Sequence, residues 1–356
     1  MSLNPLRLSL QNHLFRTVAT ALLLGAGSPV RACQVCVPYP GKSAADILLN
    51  SDTVVLARED PGKPWFYRAT EVLKGELADP SINKSIPSAT RRLLEVSPER
   101  SVILARDASE ADRGWNVIAV TGSGFEPVAR EILAREAVWR DSPTARFQYF
   151  AKRLGDELPL ARRLAHLEVA RAPYREIRQL KDSIPRTELR AFLDDARYVE
   201  WHSLYILLLA IDAPEADRAR IQEAMQTAAR FNLTRNLAAW TTAYIEIKED
   251  VAFTFLEEHY LHNPDRTAKE MAGIIAALSV CGTSEDGEMR DRIVKMYATL
   301  LKSHPKQALK VVEDLKAWTR HDLASEVGRL AASRPPIFDL TTTMKLRAYA
   351  RESARP

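Results

Sequence analysis

Cysteine is scarce in this 356-residue chain: there are three, and two of them stand close together at Cys33 and Cys36. A dense disulfide scaffold is therefore excluded, and Cys281 has no near neighbour in sequence to pair with. Long apolar runs are missing too. A spanning helix needs ~20 apolar residues, and the stretch 18–27 near the start falls far short. A basic stripe is also lacking. The formal charge is +4, but Arg7, Arg16 and Arg31 supply three positive charges within residues 1–32, which hold no acidic residue. The remainder is close to +1 by the same count, so nucleic acid is not an expected partner. Arginines elsewhere stand at helical spacing from acids, as in Glu131/Arg135, which describes a solvated mixed-charge surface.

Catalytic templates fail one by one. Thr121-Gly122-Ser123-Gly124 follows a strand but lacks the Gly-x-Ser-x-Gly elbow, so it reads as a turn. Gly41-Lys42-Ser43 has neither the earlier glycine nor the preceding strand of a phosphate loop. His259 and His262 stand beside Glu257 and Glu258, but not in the His-Glu-x-x-His order of zinc peptidases, and Asn263-Pro264 ends the helix at once. They read as a solvated helix terminus, where His also suits the helix dipole. Cys33-Gln34-Val35-Cys36 has no strand before it for a thioredoxin-type pair. It has Val37 where haem attachment needs His, and no further ligands at zinc spacing. No catalytic, cofactor-binding or metal-binding residue is assigned.

What is present begins with a leader. A basic region precedes the apolar stretch, and Val30 and Ala32 place small residues at −3 and −1 of a cleavage site between Ala32 and Cys33. The expected product is exported, periplasmic or secreted, and starts at Cys33. A lipid anchor at Cys33 is the second reading, because Arg31 sits where a lipidation box wants an uncharged residue. In an oxidising compartment Cys33 and Cys36 are candidates for a structural disulfide. Cys281, at the end of an apolar run, reads as a buried small hydrophobe.

The chain changes character near residue 150. Before it, β-forming runs at 53–57, 65–73, 82–86, 101–105 and 115–120 are bounded by turn residues. Ser43 and Asp46 cap a short helix ahead of the first run, and a further helix is expected at 127–138. Five strands with helices at the ends imply a small antiparallel barrel. After it, five apolar helices centred on 164–170, 204–211, 237–245, 271–281 and 308–318 recur every 36–38 residues or so. More charged partners at 217–231, 251–261, 289–302 and 322–332 follow the later four. Helix pairs at this period bury their faces by stacking. The divisions are a signal peptide at 1–32, a β-rich module at 33–145, a helical-repeat domain at 150–333 and a polar, loosely ordered tail at 334–356.

The order of Cys33 and Cys36, a short helix, Asp-Thr-Val-Val-Leu-Ala-Arg at 52–58, Tyr-Arg-Ala-Thr-Glu-Val-Leu-Lys-Gly at 67–75 and Ser-Val-Ile-Leu-Ala at 101–105 resembles the netrin-like module. That module also forms the inhibitory domain of the tissue inhibitors of metalloproteinases. The family opens Cys-x-Cys where this chain has Cys-x-x-Cys, and its downstream cysteines are absent here. The resemblance implies an oligonucleotide/oligosaccharide-binding (OB) type barrel. It also implies a mode of inhibition in which the amine and carbonyl of Cys33 chelate a protease's zinc. The second half is similar to HEAT-type repeats, and the whole resembles exported bacterial proteins of this β-then-helical layout.

The expected fold class is thus α+β and multidomain, a small OB/netrin-like barrel followed by a HEAT-like solenoid. The expected function is a non-enzymatic exported interaction or scaffold protein that takes a protein or peptide partner on the helical-repeat surface. One alternative is a metalloprotease inhibitor acting through Cys33; another is a redox or metal-dependent enzyme using Cys33 and Cys36. Mass spectrometry of the exported chain is expected to find Cys33 at its N-terminus, disulfide-bonded to Cys36. Two reduced thiols, or a bound metal, would contradict that reading.

Overall fold

Thr53, Val54, Val55, Leu56 and Ala57 are all buried. A strand turns successive side chains to opposite faces, so five buried residues in a row require packing on both sides. That requirement organises the fold. The computed structural model describes Val35 and residues 42–107, 114–122, 124–181, 183–285 and 287–352, within one compact unit spanning Ala32–Pro356. The expected leader at 1–32, the expected cleavage site Ala32/Cys33, Cys36 and Ser123 lie outside the described residues.

Helix α1 (Ala44–Asn50) opens with the expected capping box: Asp46 N–H donates to Ser43 Oγ at 3.0 Å, and Ser43 N–H to Asp46 Oδ2 at 3.0 Å. Strands β1 (Thr53–Asp60), β2 (Lys63–Lys74), β3 (Ser81–Ser85), β4 (Val102–Arg106) and β5 (Trp115–Val120) then build one antiparallel half-barrel sheet. Its order is β3-β2-β1-β4-β5, and among the described residues no ladder joins β3 to β5. α2 (Ser88–Val96) connects β3 to β4.

The central strands serve two cores. Val55, Ala57, Val102 and Leu104 meet Tyr67, Ile82, Ile86 and Leu94 in a small core that includes α2. Val54, Leu56, Ile103 and Ala105 point the other way, into a large core that continues without a break through the helices. These helices are α3 (Phe125–Ala134), α4 (Glu136–Asp141), α5 (Pro143–Ala151), α6 (Pro159–Ala170), α7 (Tyr174–Ile177) and α8 (Arg186–Asp194). A 3-10 turn (Ala196–Trp201) leads to α9 (His202–Ala210), α10 (Glu215–Phe231), α11 (Leu237–Lys248) and α12 (Asp250–Leu256). After a π-turn (Glu257–Leu261) come α13 (Ala268–Ser284), α14 (Glu288–Ser303), α15 (Ala308–Ala317), α16 (Ala324–Ala331) and α17 (Leu340–Glu352). The fold is therefore α+β, with a helical part following the sheet.

The apolar helices expected from periodicity appear as α6, α9, α11, α13 and α15, and α9, α11 and α13 pack side by side in chain order. No helix among the described residues is long and apolar enough to cross a membrane.

An ion network ties α1 to the helices. Arg146 donates to Asp46 Oδ1 at 2.6 Å and to Glu168 Oε1 at 2.8 Å, while Arg171 reaches Asp46 Oδ2 at 2.6 Å. The Ser43 hydroxyl donates to Glu168 as well. Burial by itself would raise the Asp46 carboxyl. The Ser43 N–H and the two guanidiniums outweigh it and hold the group below its ordinary value.

Some elements differ from expectation. The helix expected at 127–138 is broken at Arg135 into α3 and α4. α5 crosses the expected boundary near 150; its aromatic residues favour strands by propensity, but burial of Phe147 and Phe150 beside Trp139 decides for helix. α2 and α8 each bury one residue, Leu94 and Leu189, too few to mark an apolar face. The tail expected to be loosely ordered carries α17, anchored by buried Leu346 and Tyr349 whose hydroxyl donates to Arg320 O at 3.0 Å.

Two substitutions probe the sheet. Gly75 closes the β2 turn with φ +73°, and a Cβ there would stand 1.9 Å from Asp52 O. Gly75→Ala should destabilise the protein by roughly 2 kcal/mol or more, as a lower urea midpoint with unchanged slope. The Tyr67 hydroxyl is buried in the small core with no hydrogen-bond partner among the described residues. Tyr67→Phe should be neutral or stabilising by about 1 kcal/mol in the same assay, because an unsatisfied polar group is removed at nearly constant volume. A loss of stability there would reveal a partner for the hydroxyl.

Candidate functional site

The residues singled out by sequence do not converge. Cys33 and Cys36 lie outside the described residues, yet Val35 between them is buried with the large core. Cys281 is buried within α13. His259 and His262 are exposed at the π-turn, with the His259 ring 4.3 Å from that of Phe255. Thr121 bonds back to Ser101 at both backbone and hydroxyl, 2.7 Å each, and Gly122 and Gly124 take φ of +90° and +79°. That segment is a turn. Ser43 is spent on the α1 cap and on Glu168. Among the described residues, no three His, Cys, Asp or Glu side chains gather to hold a metal.

A different set does converge, at the start of the helical part. Pro159 opens α6 at its first turn, where the missing N–H costs nothing. One turn on, α6 presents Arg162 and Arg163, then His166. The 3-10 turn is fixed by Asp195, whose carboxylate accepts the Arg197 N–H at 2.9 Å and also binds its guanidinium. His202 Nε2 secures the same turn, 3.1 Å from Phe192 O and 3.3 Å from Asp195 O. So held, the turn brings Tyr198, Glu200 and Trp201 against α6. Together with Tyr205 they line a 170 Å³ pocket.

Its floor is aromatic. The His166 ring lies 5.3 Å from Trp201 and 5.4 Å from Tyr205, the latter edge-on at 85°. Phe192 backs the group, 4.6 Å from Tyr198 and 5.1 Å from Tyr205. His166 is 1% exposed. Its Nδ1 is 2.8 Å from Arg162 O, which can only accept, so Nδ1 carries the proton and Nε2 accepts the Tyr205 hydroxyl at 2.8 Å. Burial pushes the imidazole down to about 4, the reverse of a group poised for proton transfer near neutrality. Both ring nitrogens are engaged, so His166 is a structural wall and not a base.

The rim supplies the charge. Arg163 meets Glu200 at 3.3 Å with both side chains half exposed or more, a pair that exchanges easily with water or a ligand. Arg197 is held by Asp195. Arg162 makes no ion pair among the described residues. Leu160 and Val199, next in sequence to lining residues, are exposed apolar side chains at 43% and 40%. Chemically, the pocket can pair a carboxylate with Arg162 while an apolar neighbour covers Trp201. In a larger 490 Å³ cleft around Tyr149, the Glu131, Arg135, Arg153 and Asp156 charges are met internally. Glu131 there accepts Arg135 at 2.8 Å, Arg153 at 2.5 Å and Tyr149 at 2.7 Å.

None of the pocket residues belongs to a motif. The one signal in sequence is spacing, since Tyr198, Trp201 and Tyr205 recur at intervals of three and four with His166 and Arg162 one helical turn apart. Comparison with protein-family models, curated proteins and solved structures finds no match.

The buried neutral imidazole makes a pH prediction. Its folded pKa lies below the ordinary 6.5, so the unfolded chain takes up the proton first. Stability from this group is full above pH 6.5 and is lost as pH falls towards 4. The stability difference between wild type and His166→Gln should shrink by about 2 kcal/mol between pH 7.5 and pH 5, measured by urea unfolding. A pH-independent difference would place the proton elsewhere.

Proposed function

We propose that this chain is an exported, non-enzymatic interaction protein whose helical part binds a protein partner through an acidic, apolar-flanked segment. The observation that carries this reading is the pocket between α6 and the 3-10 turn, where Arg162, with no ion pair among the described residues, stands beside Trp201 and Tyr198. Aromatic and arginine side chains are the ones most often decisive at interfaces.

The architecture supports the same reading. The strand order and the placing of α2 between β3 and β4 agree with an OB-type, netrin-like module with no closing ladder among the described residues. The side-by-side row of α9, α11 and α13, each followed by a second helix, agrees with a HEAT-like repeat array. Such arrays present extended surfaces to other chains. Export rests on residues 1–32. Burial of Val35 favours a structural task for Cys33 and Cys36, a local disulfide that fastens the segment to the core, over redox work or zinc chelation.

Affinity capture from the exported fraction, quantified by mass spectrometry, tests the proposal. A protein retained by the wild type should fall at least about tenfold with Arg162→Glu and with Trp201→Ala, a change of about 1.4 kcal/mol. Arg140→Glu, an exposed helix-surface substitution of the same charge reversal, should leave capture unchanged. Equal recovery by all variants would contradict a role for the pocket.

A further inference from the structure

The β1–β2 hairpin holds an aromatic side chain in an unusual way. Pairing of the two strands shifts register between Glu59 and Asp60, the mark of a β-bulge, which bends a strand and re-aims its side chains. Trp65 sits opposite this shift with φ +72°. Bulky side chains rarely enter that region, which glycine takes without strain.

Two bonds keep it there. Trp65 N–H donates to Glu59 Oε1 at 2.8 Å, and Trp65 O accepts from Ile86 N–H at 2.8 Å. Burial of the indole does not explain the arrangement, because Trp65 is 45% exposed. Its ring is fixed by Arg91, whose guanidinium lies 4.4 Å from the ring centroid and donates to both Glu59 oxygens at 2.9 Å. The Trp65 N–H first, and Arg91 with it, hold the Glu59 carboxyl below its ordinary value, so the clamp stays ionised. Strain retained at an exposed, immobilised side chain points to a use for that side chain.

Beside the indole lies a 400 Å³ hollow lined by Trp65, Ser88, Ala89, Arg91, Arg92 and Glu95, within the size range of small-molecule sites. Its charge is balanced. Arg91 is shared by Glu59 and Glu95, and Arg92 adds one guanidinium with no ion pair among the described residues. A phosphate would find no net attraction there. A flat apolar face next to a hydroxyl, a guanidinium and a carboxylate suits a ring that is apolar on one side and carries hydroxyls round its edge.

We propose that Trp65, with Ser88, Arg92 and Glu95, forms a binding site for a neutral saccharide ring. The C–H face of the pyranose packs against the exposed part of the indole that borders the hollow. Arg92 donates to one ring hydroxyl, and Glu95 accepts from another. This site stands apart from the α6 pocket and does not depend on the reading given to it.

Calorimetric titration of the full chain with maltotriose, cellotriose and chitotriose tests the proposal. At least one trisaccharide should bind, and Trp65→Ala should weaken it at least about tenfold. Arg92→Ala should weaken it by a smaller factor. Trp65→Gly separates binding from folding: glycine accepts φ +72° freely, so the thermal midpoint should rise while binding is lost. Absence of binding by all three sugars would overturn the proposal. So would wild-type affinity in Trp65→Gly, or a lowered midpoint in that variant, which would make Trp65 structural. Trp65-dependent binding of polyuridylate in place of the sugars would overturn the ligand class.

Discussion

Everything in this structure depends on a sheet that is buried on both faces at its centre. β1 and β4 send alternate side chains into a small core under α2 and into the large helical core. The pairing is in register from Thr53↔Arg106 to Ala57↔Val102, so the two strands present matched residues to each side. A slip of one residue would exchange the two sets at once and leave both cores misfilled. Register is thus specified twice over. The Asp46 network strengthens the large-core side, because Arg146 and Arg171 lock the cap of α1 to the helices that follow. Removing one partner would leave buried charge unmatched, which is why such a network enforces one arrangement even where its net stabilisation is small.

Both proposed binding surfaces grow from this frame. The indole of Trp65 is aimed by a bulge in β2, the strand that lies outside β1. The α6 pocket is closed by a 3-10 turn that His202 and Asp195 fasten to α8 and α9. In each, an aromatic group is held from behind by hydrogen bonds, and an arginine with no ion pair among the described residues stands at the rim. Recognition by pre-set groups loses little conformational freedom on binding.

Much of the fold is legible in the sequence where local signals and burial agree. Ser43 and Asp46 announce a capped helix, and the runs at 53–57 and 101–105 announce central strands because all or nearly all of their residues are apolar. The apolar helices α9, α11 and α13 are visible through length and periodicity. Illegible elements are those whose reason lies elsewhere in space. α2 and α8 each rest on one buried leucine, and α17 is stabilised by Tyr349 reaching Arg320 across the fold. The sites follow the same division. His166 looks unremarkable until Tyr205 and the Arg162 carbonyl, brought together by folding, take both its nitrogens. Trp65 reads as an ordinary strand residue, since no local pattern discloses a positive φ. The cysteine pair, the loudest signal in the sequence, lies outside the described residues, and only Val35 between the two is seen, buried with the large core.

The central claim is that sheet and helices share one continuous core and so present their surfaces from a single cooperative frame. Native-state hydrogen exchange of the full chain tests it most directly. Amides of β1 and β4 should open with the same free energy and the same denaturant dependence as those of α9 and α11, as one cooperative unit. Opening of the sheet at distinctly lower free energy, while the helices stay protected, would contradict it.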